Sequence, residues 1–118
     1  MLGDHENLEV MQNLLDIQKM RIRKKIDALD DKIMPLLAER YQLCRELLEM
    51  KDHNREKLID DQRRKEIIEK AGGVYGVPEV QTYVMRVYSQ LLDSAVDIFM
   101  RRRRSWWERL WFSSEDHE

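Results

Sequence analysis

The sequence predicts an all-α fold of three helices, the first very long. Three observations carry this. Large aliphatic residues recur at helical spacing from Ile22 to Met50, and no segment shows strand alternation. Charged residues make up 37% and the mean hydropathy is -0.69, a pairing that describes long helices with a wet face rather than disorder. Only 4 Gly and 2 Pro interrupt 118 residues, so the elements are few and long.

The first helix is predicted from about Asn7 to about Asp52. At about 1.5 Å per residue that is a rod of roughly 65–70 Å. Such a rod outreaches a domain of this size, so one end must pack outside its own core. Pro35 removes one backbone hydrogen bond and is expected to kink the rod or to split it. His53 to Lys57 reads as a loop. A short second helix follows, with Asp60 or Asp61 as N-cap, Ile67 and Ile68 inward, and Gly72-Gly73 as its stop. Pro78 opens a third helix with Val80, Val84, Val87, Leu91, Ser94 and Ile98 on its inward seam. Arg101 to Arg104 would complement that helix's C-terminal dipole. Residues 1–105 are expected to form the helical domain. Residues 106–118 form a Trp-rich extension, with one or two amphipathic turns over Trp106 to Phe112 and a frayed, partly disordered end.

The net charge of -2 demands neither nucleic acid nor membrane as a partner. The single cysteine, Cys44, has no internal disulfide partner and suits a reducing compartment. Met1 to Val10 is polar and acidic, without the apolar stretch of a signal peptide, and no apolar run is long enough to span a bilayer. A cytoplasmic protein is expected. Arg101 to Arg104 with Trp106, Trp107 and Trp111 could touch an anionic surface. Packing of the tryptophans on a dimer is the preferred reading, because the segment is too short to bind strongly alone.

One residue breaks the first helix's seam. Ile22, Ile26, Leu29, Ile33, Leu36, Arg40, Leu43, Leu47 and Met50 follow each other at steps of four and three, and all but Arg40 are apolar. A guanidinium cannot be neutralised, so burying it requires an anion. That anion is either a carboxylate of the protein or a ligand. Lys51 follows Arg40 by eleven residues, which returns it to within roughly 20° of the same direction. Arg23 precedes Arg40 by about 25 Å and lies roughly 100° round the helix. If all three cations meet one ligand, Arg23 comes from a second chain. The plainer alternative leaves Arg23 and Lys51 as solvated cations and Arg40 in an ion pair.

The start of the second helix gathers Asp60, Arg63 and Arg64 around free backbone N–H groups, a setting that suits anions as well as a routine acidic cap. Ser94 stands on the third helix's seam, where a hydroxyl often bonds only the preceding turn. No Ser/His/Asp set and no phosphate loop is present, and His5, His53 and His117 lack metal-ligand spacing. Neither cofactor nor metal is expected.

Together, Arg23-Lys24-Lys25-Ile26-Asp27-Ala28-Leu29-Asp30, Leu36-Leu37-Ala38-Glu39-Arg40, Lys51, and Asp60 through Glu69 resemble the all-helical chorismate mutase family. The resemblance covers about residues 20–100 and is looser in the third helix. It implies an intertwined homodimer of three-helix subunits that rearranges chorismate to prephenate without a cofactor. In that light Arg23 looks like the arginine donated across the dimer to a substrate carboxylate. Arg40 looks like the one that grips a carboxylate within its own subunit. Lys51 resembles the lysine at the ether oxygen, Asp60 the acid near the ring hydroxyl, and Arg63 the arginine beside it. Ser94 takes the place of a serine that contacts a carboxylate, with a one-residue slip, since Ala95 aligns better by distance from Tyr88.

Such a set suits the reaction. A unimolecular rearrangement needs no nucleophile. It needs a dianion held in a compact conformer and a cation at an ether oxygen whose charge grows in the transition state. Two positions depart from the family. Arg64 stands where glutamate usually contacts the ring hydroxyl, and Ile98, or Phe99 in the other register, stands where glutamine usually shares the ether oxygen. Gln90 is a candidate substitute for the latter. Chorismate is the expected substrate. The alternatives are 4-amino-4-deoxychorismate, isochorismate as a lyase substrate, and a non-catalytic dimer.

Overall fold

The computed structural model describes residues 3–115, with side chains through Arg103. Three helices follow in order: α1 (Asp4–His53), α2 (Asp61–Gly72) and α3 (Pro78–Glu115). No strand occurs among the described residues. No described helix is long and apolar enough to cross a membrane. The chain divides into two compact units, one ending at Arg40 and the other beginning at Tyr41.

The first unit is the greater part of α1. Gly3 caps it: its N–H donates to Glu6 Oε2 at 3.2 Å, and its carbonyl accepts the Asn7 N–H at 3.1 Å. Asp4 and Glu6 in the first turn face the positive end of the helix dipole. The helix passes through Pro35 unbroken, so Pro35 does not split it. The lost backbone bond, at the carbonyl of Asp31, is one among many along a helix already nucleated on both sides. The apolar residues of this unit remain uncovered. Leu8, Ile22, Leu29 and Leu36 are 65%, 58%, 57% and 62% exposed.

The second unit holds the buried residues Leu48, Ala71, Ala95 and Phe99, which come from all three helices. α1 ends in a Schellman motif. Glu56 N–H donates to Lys51 O at 2.8 Å and Arg55 N–H donates to Asp52 O at 3.1 Å. The residue in the left-handed position is Arg55, at φ 59°, where glycine would be unstrained. The loop then reaches Asp60, whose Oδ1 accepts the Arg63 N–H at 3.0 Å and caps α2. This resolves the choice between Asp60 and Asp61. α2 ends at Gly72 as expected, but Gly73 stays right-handed at φ -89° and donates to the carbonyls of Glu69 and Lys70. Gly72 lies close against α3: a Cβ there would lie 2.8 Å from Met85 Sδ, so any larger residue would make the flexible Met85 side chain shift. Ile67 and Ile68 are half-buried, as expected. Pro78 opens α3, with Val77 O accepting the Gln81 N–H at 3.0 Å.

α3 departs from expectation in two ways. Its buried face is shifted toward its C-terminal half: Val80, Val84 and Leu91 of the expected seam are half-buried, as are Met85, Tyr88 and Leu92, but the buried positions are Ala95 and Phe99, whereas Val87, Ser94 and Ile98 are exposed. Two parallel apolar stripes run along this helix. The one bearing the small Ala95 and the aromatic Phe99 allows closer approach and buries more area. Second, α3 continues to Glu115, so Arg101 to Arg104 lie within it and not at its end. Arg101 pairs instead with Asp97 at 3.2 Å, and Arg103 with Asp52 at 2.9 Å. Side chains of the Trp106–Phe112 segment, and residues 116–118 of the expected frayed end, lie outside the described residues.

Replacing Arg55 with Gly should relieve the left-handed strain. The expected gain is about 0.5–1 kcal/mol, part of it lost to the greater chain entropy of glycine. Thermal unfolding followed by circular dichroism at fixed protein concentration should show Tm rising by about 3 °C.

Candidate active site

A cleft of about 530 Å³ opens in the second unit, lined by Lys51, Glu56, Lys57, Ile59, Asp60 and Asp61. Two helix ends shape it. The Schellman turn reverses the chain immediately after α1, and the Asp60 cap starts α2. Residues nine apart in sequence, Lys51 and Asp60, therefore share one cavity. Lys51 is half-buried.

The cleft is not strongly cationic by itself. Lys57 Nζ lies 3.0 Å from Asp61 Oδ2, with both groups about three-quarters exposed, so this pair nearly cancels and contributes little stability. That leaves Lys51 facing Glu56 and Asp60. A dianion seated here would need further cations. Asp60 also has a structural task, since one of its oxygens is held by the Arg63 N–H.

The other predicted residues fall as follows. Arg63 is exposed and lies a loose 3.9 Å from Glu66 Oε2, outside the cleft lining. Arg64 turns onto α3, where Nη1 contacts Asp93 Oδ1 at 2.6 Å and Nη2 donates to Ser89 Oγ at 2.9 Å. Its fork bridges two acceptors one helical turn apart, tying the first turn of α2 to α3. Ser94 is exposed, off the buried face of α3, and so does not lie on an inward seam. In the first unit, Arg23 is exposed and Arg40 is half-buried. Sequence reasoning missed Glu56, Lys57, Ile59 and Asp61 as cleft residues, although their place between Lys51 and α2 was a signal. It also missed the Arg64–Asp93 contact, which has no local signature. No group of His, Cys, Asp or Glu among the described residues could hold a metal ion.

The model of the family described as chorismate mutase type II matches residues 22–98. This chain belongs to that family. A chorismate mutase of Methanocaldococcus jannaschii is 45% identical over 58 residues, which is 42% of this chain and 59% of the relative. The chain thus spans about three-fifths of the length of the curated relative it matches. No solved structure matches. The type II region contains Arg23, Arg40, Lys51, Asp60, Arg63, Arg64 and Ser94. It leaves out the first five turns of α1 and everything from Phe99 onward.

The two roles of Asp60 are separable. Asp60→Ala should cost about 1 kcal/mol through the lost cap, measured by urea unfolding, whereas Asp60→Asn should unfold near the parent's midpoint because Asn caps as well as Asp. Equal destabilisation by both would show that the capping bond is not what Asp60 contributes.

Proposed function

We propose that this chain is a cytoplasmic chorismate mutase, working as a homodimer and converting chorismate to prephenate. The observation that carries the proposal is the shared cleft of Lys51 and Asp60 within the type II region. Lys51 would donate to the ether oxygen of the substrate, where negative charge grows as the bond breaks. Asp60 would accept from the ring hydroxyl. Arg40 and Arg63 would bind the carboxylates, supplying the positive charge that the cleft lining lacks. Residues 1–105 would form the catalytic domain, with 106–118 as an extension.

The second chain has two supports. The uncovered apolar face of α1 needs a partner, because soluble monomers rarely leave so large an apolar patch open to water. Arg23, placed seventeen residues before Arg40, is available to a substrate held by another chain. Arg64 is drawn off by Asp93 and Ser89, so we assign it to anchoring α2 and not to substrate. Ser94, exposed here, would contact a carboxylate only in the assembled dimer. The single cysteine of the sequence, Cys44, is compatible with a reducing compartment.

A non-catalytic dimer is the competing reading, favoured by the apolar Ile98 and Phe99 where the family usually places a polar partner for the ether oxygen. Turnover decides between them. Purified protein given chorismate should release prephenate, identified by NMR, and Arg40→Ala or Lys51→Ala should each lower kcat/KM by about 10²–10³. Absence of turnover in the parent chain would sink the enzymatic reading; trials with the amino and iso relatives of chorismate would then test its substrate alternatives.

The dimer makes a separate prediction. Arg23→Ala and Lys51→Ala chains should each be inactive alone. Unfolded together and refolded, they should recover about a quarter of parental activity, since half the dimers would be mixed and each of those would hold one intact site. No recovery from a mixture that sedimentation shows to contain dimers would place Arg23 within its own subunit's site or outside any site.

A further inference from the structure

Arg103 lies beyond the type II region and outside the residues assigned to substrate. Its Nη1 is 2.9 Å from Oδ1 of Asp52, the residue after Lys51. The two side chains are 39% and 29% exposed, so the pair is partly shielded from water. It joins the last turn of α1 to α3.

Asp52 is poorly placed on local grounds. A carboxylate in the last turn of a helix faces the negative end of the dipole. Arg103 offsets that cost. The backbone of the same residue closes the turn: Asp52 O accepts the Arg55 N–H, and Lys51 O accepts the Glu56 N–H beside it. A side chain from α3 therefore grips the point at which α1 reverses, and that reversal carries Lys51 into the cleft. Arginine suits the task because it is always charged and its planar fork loses little freedom on pairing.

We propose that Arg103 is a positioning residue: its ion pair with Asp52 holds the last turn of α1 on α3 and so fixes the aim of Lys51. This rests on the reading of Lys51 as the cation at the ether oxygen. A cation that acts chiefly in the transition state must be aimed well, whereas substrate binding is shared among several groups. Loosening the turn therefore lowers kcat and leaves KM nearly unchanged. A displacement of about 1 Å can cost a hundredfold; because the backbone bonds of the turn remain, the loss expected here is about three- to tenfold.

The test uses the full chain with Arg103→Ala, Asp52→Asn, the double variant, Arg103→Lys, and the charge exchange Asp52→Arg with Arg103→Asp. kcat and KM for chorismate are measured at a temperature where circular dichroism shows every variant fully folded. Amide hydrogen exchange is followed at Arg55 and Glu56. Either single loss should lower kcat by about three- to tenfold with KM within about twofold, and the double variant should be no worse than either single. Arg103→Lys and the charge exchange should restore much of the rate, and exchange at Arg55 and Glu56 should quicken when the pair is broken. Unchanged kcat in fully folded variants, multiplied losses in the double variant, or unchanged exchange would each overturn the proposal. If the parent chain turns over no chorismate, the role of Lys51 falls and the catalytic part of this proposal falls with it; exchange at Arg55 and Glu56 then decides separately whether the clamp exists.

Discussion

From Leu8 to Leu36, α1 presents large aliphatic side chains that are about half exposed or more, with no described residue of the first unit buried. A single helix gains little from its own backbone bonds, and its stability in a protein comes from covering an apolar face. At about 25 cal/mol per Å², even partial cover of this stripe is worth many kcal/mol. Left open, it is a patch of the kind that soluble monomers avoid. The proposed assembly of two chains would cover this face, and in it one chain's Arg23 would serve the other's substrate.

The second unit solves a different problem, which is how to bring a lysine and a carboxylate to one cleft with few residues. It does so by ending one helix and starting the next within a short loop. The C-terminal end of α1 favours a nearby cation and the N-terminal end of α2 favours a nearby anion, each by about 0.3–1 kcal/mol. Lys51 and Asp60 occupy those ends. The same backbone ends that terminate the helices thus carry the two groups that the proposed chemistry uses. Arg64 on Asp93 and Ser89, and Arg103 on Asp52, tie both helix ends to α3.

What was legible in the sequence was set by local chemistry. Pro78 at a helix start, Asp60 as a cap, Gly72-Gly73 as a stop and the long α1 all follow from neighbours in the chain. The register of α3 was not legible, because the stripes through Ser94 and Ala95 are both apolar at helical spacing and only packing against other elements chooses between them. The polar stretch from His53 to Lys57 reads as a loop, and α1 ends where that loop begins; the Schellman turn inside it is not legible, because its left-handed residue is arginine and the usual glycine signal is missing. The run Arg101 to Arg104 resembled a helix terminus, yet α3 continues past it. Charge runs of this kind carry no stop signal of their own. Partners distant in sequence, such as Asp52 and Arg103, leave no spacing to read.

Arg63 and Arg64 show how far neighbours with the same side chain can differ. Successive residues on a helix point about 100° apart. Arg64 meets α3 and is fixed there by two acceptors, while Arg63 stays in solvent with only a long contact to Glu66. The fixed arginine has its charge met by Asp93 and is spent on structure. The other keeps a charge that an incoming anion can use, and its own N–H is already anchored to Asp60. An arginine held at the backbone and open at the guanidinium can reach a carboxylate at small entropic cost, because the first turn of α2 is fixed before the ligand arrives. The substitution of arginine at position 64 therefore bears first on how firmly α2 is seated, and through that seating on where Asp60 and Arg63 stand.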